Sequence, residues 1–146
     1  MLIIRDLRIE DSPYLAQLTT QLGYPISNEV MLSRIQLFLH TPYGKVFVAQ
    51  ENDIVVGYVS LWIREHFHDA HRAARVLALI VDEKHQGLGI GKKLMHAAEQ
   101  FAKEQKCVSV DLSSAHRRTQ AHAFYTALKY EADATKYFSK DLDLKD

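Results

Sequence analysis

The sequence predicts an α+β fold: a mixed, mostly antiparallel sheet with helices on both of its faces. Residues 46–50 and 54–63 read as two strands joined by the tight turn Asn52-Asp53, which makes an antiparallel hairpin. The apolar run at residues 76–81 is typical of a strand buried on both faces, and the amphipathic pattern after it indicates a helix. Strands and helices that mix in this way within one short chain favour the α+β class.

The composition is that of an ordinary globular protein. The 146 residues are 47% hydrophobic and 25% charged, which suits a single domain over residues 1–146. Eighteen acidic residues balance 18 basic ones, so the charge gives no case for nucleic acid or an anionic membrane as a partner. No apolar run is long enough to span a bilayer, the N-terminus lacks the features of a signal peptide, and the single Cys107 excludes an internal disulfide. We therefore expect a cytoplasmic protein.

The remaining elements follow from local patterns. Residues 2–5 read as the first strand, Ser12 before a proline is the predicted cap of a first helix, and Ser27 is the predicted cap of a second. Residues 107–113 and 137–142 are predicted to add two strands after the central helix. The sheet is thus expected to take strands from both ends of the chain.

The loop between the hairpin and the buried strand is rich in titratable residues, namely Glu65, His66, His68, Asp69 and His71. A structural zinc site needs four ligands and usually a second ligand group elsewhere, and no such group has a recognisable spacing, so no metal is predicted. A solvated loop is the plain alternative. Because the loop leads directly into the buried strand, we expect His66, His68 and His71 to reach a substrate.

A glycine loop follows the buried strand. Residues 86–91 read Gln-Gly-Leu-Gly-Ile-Gly, and Lys92 and Lys93 lie in the first turn of the next helix. Glycines let the backbone approach a ligand closely, and the free amides and the dipole of a helix N-terminus favour an anion. Positive charge there is unfavourable unless an anion is bound. The sequence therefore predicts a polyanion site, with a tight turn and solvated lysines as the alternative.

Two familiar phosphate-binding motifs do not fit this loop. Gln86 stands where a P-loop needs its first glycine, and Lys93 stands where it needs serine or threonine. The dinucleotide fingerprint fails as well, because Lys92 and Leu94 occupy the positions where its last glycine would fall. The predicted anion is therefore assigned to neither class of nucleotide-binding protein.

Two motifs resemble those of the GNAT N-acetyltransferase superfamily. The pattern Gln-x-x-Gly-x-Gly at residues 86–91, after a buried strand and opening a helix, is similar to that family's acetyl-coenzyme A (acetyl-CoA) site. Residues 121–130, Ala-His-Ala-Phe-Tyr-Thr-Ala-Leu-Lys-Tyr, resemble the family's late segment A-x-x-F-Y-x-x-L-G-[FY]. The motifs occur in the expected order with a helix and a strand between them, and the resemblance covers nearly the whole chain.

The resemblance implies acetyl-CoA as co-substrate. The buried strand and the strand at residues 107–113 would lie side by side and splay apart, and the pantetheine arm would enter the gap and pair with the backbone near residues 79–81. Tyr24, in the link between the first two helices, is a candidate lining residue of the acceptor site, with a packed surface tyrosine as the alternative. The expected cofactor-binding residues are Leu79, Ile80, Val81, Gln86, Gly87, Leu88, Gly89, Ile90, Gly91, Lys92 and Arg118.

Tyr125 matches the family's general acid. A phenol stays protonated at neutral pH, so it can give a proton to the leaving thiolate, whereas a core aromatic beside Phe124 is the alternative. The attacking amine must lose a proton, but residues 75–81 contain no carboxylate. A bound water or one of the five titratable loop residues is left as the base. Lys129 stands where the family usually has glycine, so the helix is expected to end without a left-handed glycine.

Three classes of function stay open. The resemblance implies an N-acetyltransferase that transfers the acetyl group to a primary amine of a small molecule or protein, by direct attack in a ternary complex, with homodimer formation left open. A non-catalytic acyl-CoA-sensing module of the same fold is the first alternative, and Tyr125 argues against it. A different nucleotide-binding enzyme is the second, and the failed phosphate motifs weigh against it. Aminoglycosides, polyamines, amino acids and protein N-termini all remain open as acceptors.

Overall fold

A computed structural model describes residues 1–114, 119–133 and 135–144. The chain divides into two compact units, residues 1–113 and residues 114–146. The first unit, whose residues are all described, contains five strands and three α-helices: β1 (Leu2–Asp6), α1 (Ser12–Gln21), α2 (Asn28–Leu39), β2 (Gly44–Glu51), β3 (Ile54–Glu65), β4 (Arg72–Val81), α3 (Ile90–Glu104) and β5 (Cys107–Asp111). Short 3-10 turns precede α1 and α3, at Ile9–Asp11 and Glu83–His85. In the second unit the helix is α4 (Thr119–Ala127).

The sheet is mixed and mostly antiparallel. Its strands lie in the order β1-β2-β3-β4-β5, so each strand pairs with its neighbours in the chain. The first three pairings are antiparallel, and β4 and β5 run parallel because α3 connects them across one face. The predicted α+β class and the predicted hairpin are confirmed.

Helices cover both faces of this sheet. Successive residues of a strand point to opposite faces, and Gly57 and Tyr58 of β3 show what lies on each side. The Tyr58 hydroxyl is 2.7 Å from Thr19 Oγ1 of α1. A Cβ at Gly57 would lie 3.4 Å from Leu94 Cδ1 of α3. Helices α1 and α2 therefore pack on one face and α3 packs on the other. The largest fully buried side chains are Leu15, Val48, Val56, Val59, Leu61, Ile63, Leu94 and Met95.

Local capping patterns predicted some helix ends better than others. Ser27 caps α2 as predicted, since its Oγ accepts a hydrogen bond from Val30 N at 3.1 Å. Ser12 is instead the first residue of α1, and Asp11 is the N-cap. The Asp11 carboxylate accepts hydrogen bonds from Arg5 at 2.8 and 3.0 Å, which ties the helix start to β1. Ser12 is buried and its hydroxyl contacts Asn28, so it does not cap α1.

The predicted strand at residues 137–142 is wrong for the described part of the chain, where residues 135–144 form no strand. A side-chain pattern alone does not make a strand, because the backbone N–H and C=O groups must also hydrogen-bond to a neighbouring strand. Tyr137, Phe138 and Leu142 are exposed. Within the described ranges, no helix combines the length and the apolar character needed to cross a membrane.

Candidate active site

The pairing of β4 and β5 ends partway along β4. The two strands pair from Arg72 opposite Cys107 to Arg75 opposite Asp111. β4 continues to Val81 and pairs with β3 on its other side. In the described part of the chain, no strand lies beside residues 76–81 on the β5 side. As predicted, the two strands lie side by side and then part, and the free backbone edge of β4 can accept an added, strand-like partner.

A β-bulge lies at the start of this free edge. The pairing of β3 with β4 steps from Leu61 opposite Val76 to Ser60 opposite Ala78, so Leu77 has no partner residue on β3. A bulge leaves the extra residue out of the ladder and re-aims its side chain, and Leu77 is 52% exposed. The prediction that residues 76–81 are buried on both faces is therefore wrong at Leu77. An uninterrupted run of Val, Leu and Ala carries no local signal for such a bulge.

The three residues predicted to contact the pantetheine arm differ in how exposed their side chains are. Ile80 is 4% exposed and packs into the core beneath α1 and α2, so only its backbone is available. Leu79 and Val81 are half-buried. The Gln86 side chain donates from Nε2 to the Val81 carbonyl at 3.3 Å, which links the glycine loop to the end of the free edge.

The glycine loop has the conformation that its sequence requires. Gly87 and Gly89 have φ angles of +80° and +82°, a region that favours glycine, and a Cβ at either residue would meet nothing within 4 Å. Gly89 is the N-cap of α3 and has no side chain to bond the first-turn amides. Lys92 and Lys93 are exposed. Uncapped amides, the helix dipole and open space thus coincide at one place, an arrangement that can hold an anion.

Hydrogen bonds to Asp82 fix the approach to this loop. The backbone N–H of Asp82 donates to the Val56 carbonyl at 2.8 Å, which extends the contact with β3 past the end of β4. The Asp82 carboxylate lies 2.8 Å from His85 Nδ1 and accepts from Gln21 Nε2 at 3.0 Å. The hydrogen bond with His85, and then that from Gln21, lower the pKa of Asp82 below its ordinary value because they stabilise the carboxylate.

Tyr125 lies on α4, in the second unit. The helix ends in a Schellman motif, since Tyr130 N donates to the Tyr125 carbonyl and Lys129 N donates to the Thr126 carbonyl, each at 3.0 Å. The rings of Tyr125 and Tyr130 meet edge to face at 6.0 Å. As expected, the helix ends without a left-handed glycine, and Lys129 itself takes the left-handed position with a φ of +74°. The backbone around Tyr125 therefore has the ending that glycine usually provides.

Lys129→Gly is expected to stabilise the protein by about 1 kcal/mol, because a side chain in the left-handed region costs roughly 1–2 kcal/mol and glycine does not. Urea unfolding followed by circular dichroism measures the change. Lys129→Ala keeps a Cβ and serves as the control, with an expected change near zero. A stability equal to the wild type's in Lys129→Gly would contradict the strain at this residue.

The remaining predicted site residues are mostly exposed. His66 and His68 lie in the loop between β3 and β4 with ring centroids 5.3 Å apart, and Asp69 Oδ1 lies 3.0 Å from His71 Nδ1. Hydrogen bonds from the backbone and ring of His71 lower the pKa of Asp69. Tyr24 is 66% exposed on the link between α1 and α2. Arg118 lies outside the described residues. Among the residues that are described, no group of three or more His, Cys, Asp and Glu side chains is placed to hold a metal ion.

The described elements now allow comparison with known proteins. A sheet that forks at its parallel pair, with an uncapped glycine loop at the next helix, is the architecture expected of an acyl-CoA acyltransferase. The profile of the Acetyltransferase (GNAT) family matches residues 7–130, which is most of the chain. The protein therefore belongs to the GNAT acetyltransferase family.

Individual relatives agree with this assignment. The aminoalkylphosphonate N-acetyltransferase of Salmonella typhimurium is 32% identical over 84 residues, which are 58% of this chain and 54% of that protein, so the match spans about half the length of this curated relative. An aminoglycoside N-acetyltransferase solved in complex with CoA has a TM-score of 0.87 with 16% identity, covers 97% of this chain and 95% of its own, and shows the fold alone. An aminoglycoside acetyltransferase from an uncultured soil metagenomic sample, solved with sisomicin, has a TM-score of 0.81, 25% identity and 97% coverage of both chains.

Proposed function

We propose that the protein is an acetyl-CoA-dependent N-acetyltransferase that acts on the primary amine of a small molecule, with a protein amino group as the less favoured acceptor. One observation carries the proposal: the short segment at residues 82–88 joins the free backbone edge at residues 76–81 to the uncapped, glycine-lined N-terminus of α3. In a member of the GNAT family, a free strand edge followed by free helix amides suits a ligand with an amide-bearing arm and a polyphosphate.

The chain's own residues then divide into two binding tasks. The backbone of Leu79 to Val81 would pair with the amides of the arm, and the N–H groups of residues 87–92 would hold the phosphates. Lys92 would add positive charge, and we propose the same for Arg118. The exposure of Lys92 and the open space above Gly87 and Gly89 support this assignment. Structures of relatives solved with CoA support the choice of co-substrate.

The reaction requires a nucleophile, a proton acceptor and a proton donor. The neutral amine nitrogen forms a bond to the thioester carbonyl carbon, the carbon–sulfur bond breaks, and the thiolate leaves with a proton from the Tyr125 hydroxyl. The proton lost by the amine passes to water or to a titratable residue in the loop between β3 and β4. A backbone N–H at the Leu77 bulge, which lies outside the β3 ladder, is our candidate donor to the developing oxyanion.

Direct attack is favoured over a covalent acetyl-enzyme. The sequence has one cysteine, Cys107. Its thiol is half-buried, and burial raises its pKa, so little nucleophilic thiolate forms at neutral pH. We therefore propose a ternary complex of enzyme, acetyl-CoA and amine. A cytoplasmic location fits this free thiol, and we propose it on that ground.

The names of relatives favour a small-molecule acceptor. The curated relative is an aminoalkylphosphonate N-acetyltransferase, and two structural neighbours are aminoglycoside acetyltransferases. Initial velocities of CoA release, measured while acetyl-CoA and amine are varied in turn, test the proposal. Intersecting double-reciprocal lines are expected for a ternary complex, and parallel lines would contradict it. Tight binding of acetyl-CoA without turnover of any amine would instead support an acyl-CoA sensor.

A further inference from the structure

Two arginines converge on one aspartate where β4 and β5 part. Arg75 Nε donates to Asp111 Oδ1 at 2.7 Å, and Arg64 Nη2 donates to the other carboxylate oxygen. Arg75 also approaches Ser113 Oγ, at 3.4 Å. Arg75 and Asp111 are the last paired residues of the two strands, so this cluster borders the free edge of β4.

The cluster has more positive charge than its own ion pairs need. Two guanidinium groups face one carboxylate, which leaves one positive charge in excess. Each guanidinium carries five N–H donors, and most of those on Arg64 and Arg75 have no protein acceptor among the described residues. Arg64 Nε is buried without a partner in that part of the chain. The side chains of Arg64, Arg75 and Asp111 are 31%, 36% and 35% exposed, so an incoming anion can reach them.

The cluster lies on the same face of the sheet as Trp62. Trp62 is the β3 partner of Arg75, and Arg64 follows Trp62 by two residues, so all three side chains share one face. The Trp62 ring packs against Phe38 at 5.5 Å and Tyr43 at 6.5 Å between centroids. A fixed aromatic wall therefore stands beside the two guanidinium groups, where it can contact a short alkyl chain.

The distance from this cluster to the reaction centre limits the size of an acceptor. Leu77, at the bulge, follows Arg75 by two residues, and two residues of a strand span about 7 Å. This short spacing favours a small acceptor, whose anionic group is held by Arg75 and whose amine is directed along β4.

We infer that the acceptor is a short amine that also carries an anionic group, a phosphonate, phosphate or carboxylate, and that Arg64 and Arg75 bind that group. Asp111 holds the two guanidinium groups side by side, and their planar forks suit bidentate contact with such an anion. The inference rests on the proposed function for the position of the amine. The anion site itself does not depend on the proposed function, and a direct binding measurement tests it separately.

The first experiment compares KM for matched acceptors. 2-Aminoethylphosphonate, O-phosphoethanolamine and β-alanine each carry one anionic group, which is a phosphonate, a phosphate and a carboxylate respectively. Ethanolamine carries none. Arg75→Gln and Arg64→Gln are expected to raise KM for the preferred anionic amine by about tenfold or more, as loss of a hydrogen bond to a charged group does, with kcat nearly unchanged. KM for ethanolamine is expected to stay within about twofold. The ranking of the three anionic amines identifies the group.

The control variant is Arg72→Gln. Arg72 pairs with Glu65 rather than Trp62, so it lies on the opposite face of β4, and it contacts the Gln105 carbonyl at 2.7 Å. It is expected to leave both KM values unchanged. Arg75→Lys keeps the positive charge but lacks the planar set of donors that makes bidentate contact. It replaces Arg75→Gln in the comparison if that variant fails to fold. Thermal unfolding by circular dichroism shows which variants are folded.

Each outcome decides the inference. The inference would be overturned if Arg75→Gln and Arg64→Gln raised KM equally for anionic and neutral amines. It would also be overturned if the wild type preferred ethanolamine or a polyamine. Neither result would contradict the proposed acetyltransferase activity. If no amine is acetylated, calorimetry with 2-aminoethylphosphonate decides. Binding that Arg75→Gln abolishes would support the anion site and count against the proposed function, and the absence of binding to the wild type would overturn the site.

Discussion

Tyr125→Phe is expected to lower kcat by about a hundredfold or more, with the Kd of acetyl-CoA within about twofold of the wild type. General acid catalysis typically contributes about 10²–10⁴ in rate, and the substitution removes the hydroxyl proton while keeping the ring. The ring contact with Tyr130 and the Schellman motif after α4 do not involve the hydroxyl, so both are expected to persist in the variant. Steady-state rates of CoA release, together with calorimetry of acetyl-CoA, measure the two quantities.

Tyr130→Phe is the matched control for this variant. It removes a hydroxyl from the other ring of the pair, five residues after Tyr125. Its kcat is expected to stay within about twofold of the wild type's. Normal turnover by Tyr125→Phe would contradict the proposed acid and would leave Tyr125 as a packing residue. Equal losses of kcat in the two variants would indicate that both hydroxyls are needed, and would contradict a special role for that of Tyr125.

Gly89→Val is expected to weaken acetyl-CoA binding by on the order of a hundredfold or more. The proposed site depends on close approach of phosphate to the first amides of α3, and hydrogen bonds to a charged group contribute about 1.5–3 kcal/mol each, so the loss of two suffices. A Cβ at this residue would meet nothing within 4 Å beyond its own chain neighbours, so we expect the steric effect of the substitution to fall on a ligand. Titration calorimetry of acetyl-CoA measures the change.

Gly23→Val separates this effect from backbone strain. Gly23 follows α1, has a φ of +104° and would likewise place a Cβ in open space. Both substitutions force a side chain into a left-handed conformation and should cost roughly 1–2 kcal/mol of stability. Only Gly89→Val should also raise the Kd of acetyl-CoA. Similar Kd values for the two variants would contradict an anion site at the start of α3.

Features that arise from nearby residues could be predicted from the sequence. The cap at Ser27 depends on a hydrogen bond to a residue three positions away, and the hairpin depends on a two-residue turn. Glycine at residues 87 and 89 indicated a tight loop, and both residues have the positive φ angles that glycine favours. The central strand, its glycine loop and the following helix could therefore be predicted as one unit, and so could a strand after that helix. The side-by-side placement of the two strands was implied by the family resemblance.

Features that depend on strand register or on distant contacts could not. The bulge at Leu77 arises from how β4 is offset against β3, and nothing in its own apolar run indicates an offset. Arg64, Arg75 and Asp111 come from three strands and meet only because those strands pair as they do. Lys129 in place of glycine left the geometry of this helix end open, and the Schellman hydrogen bonds hold the left-handed conformation with lysine.

The central claim is that the fork between β4 and β5 and the glycine loop bind acetyl-CoA. Isothermal titration calorimetry of the folded protein with acetyl-CoA, with ATP and NAD as controls, tests it most directly. Saturable binding of acetyl-CoA at one site per chain, much tighter than that of either nucleotide, is the predicted result. Failure to bind acetyl-CoA in a sample that unfolds cooperatively would contradict the claim, and preference for ATP or NAD would assign the loop to a different nucleotide.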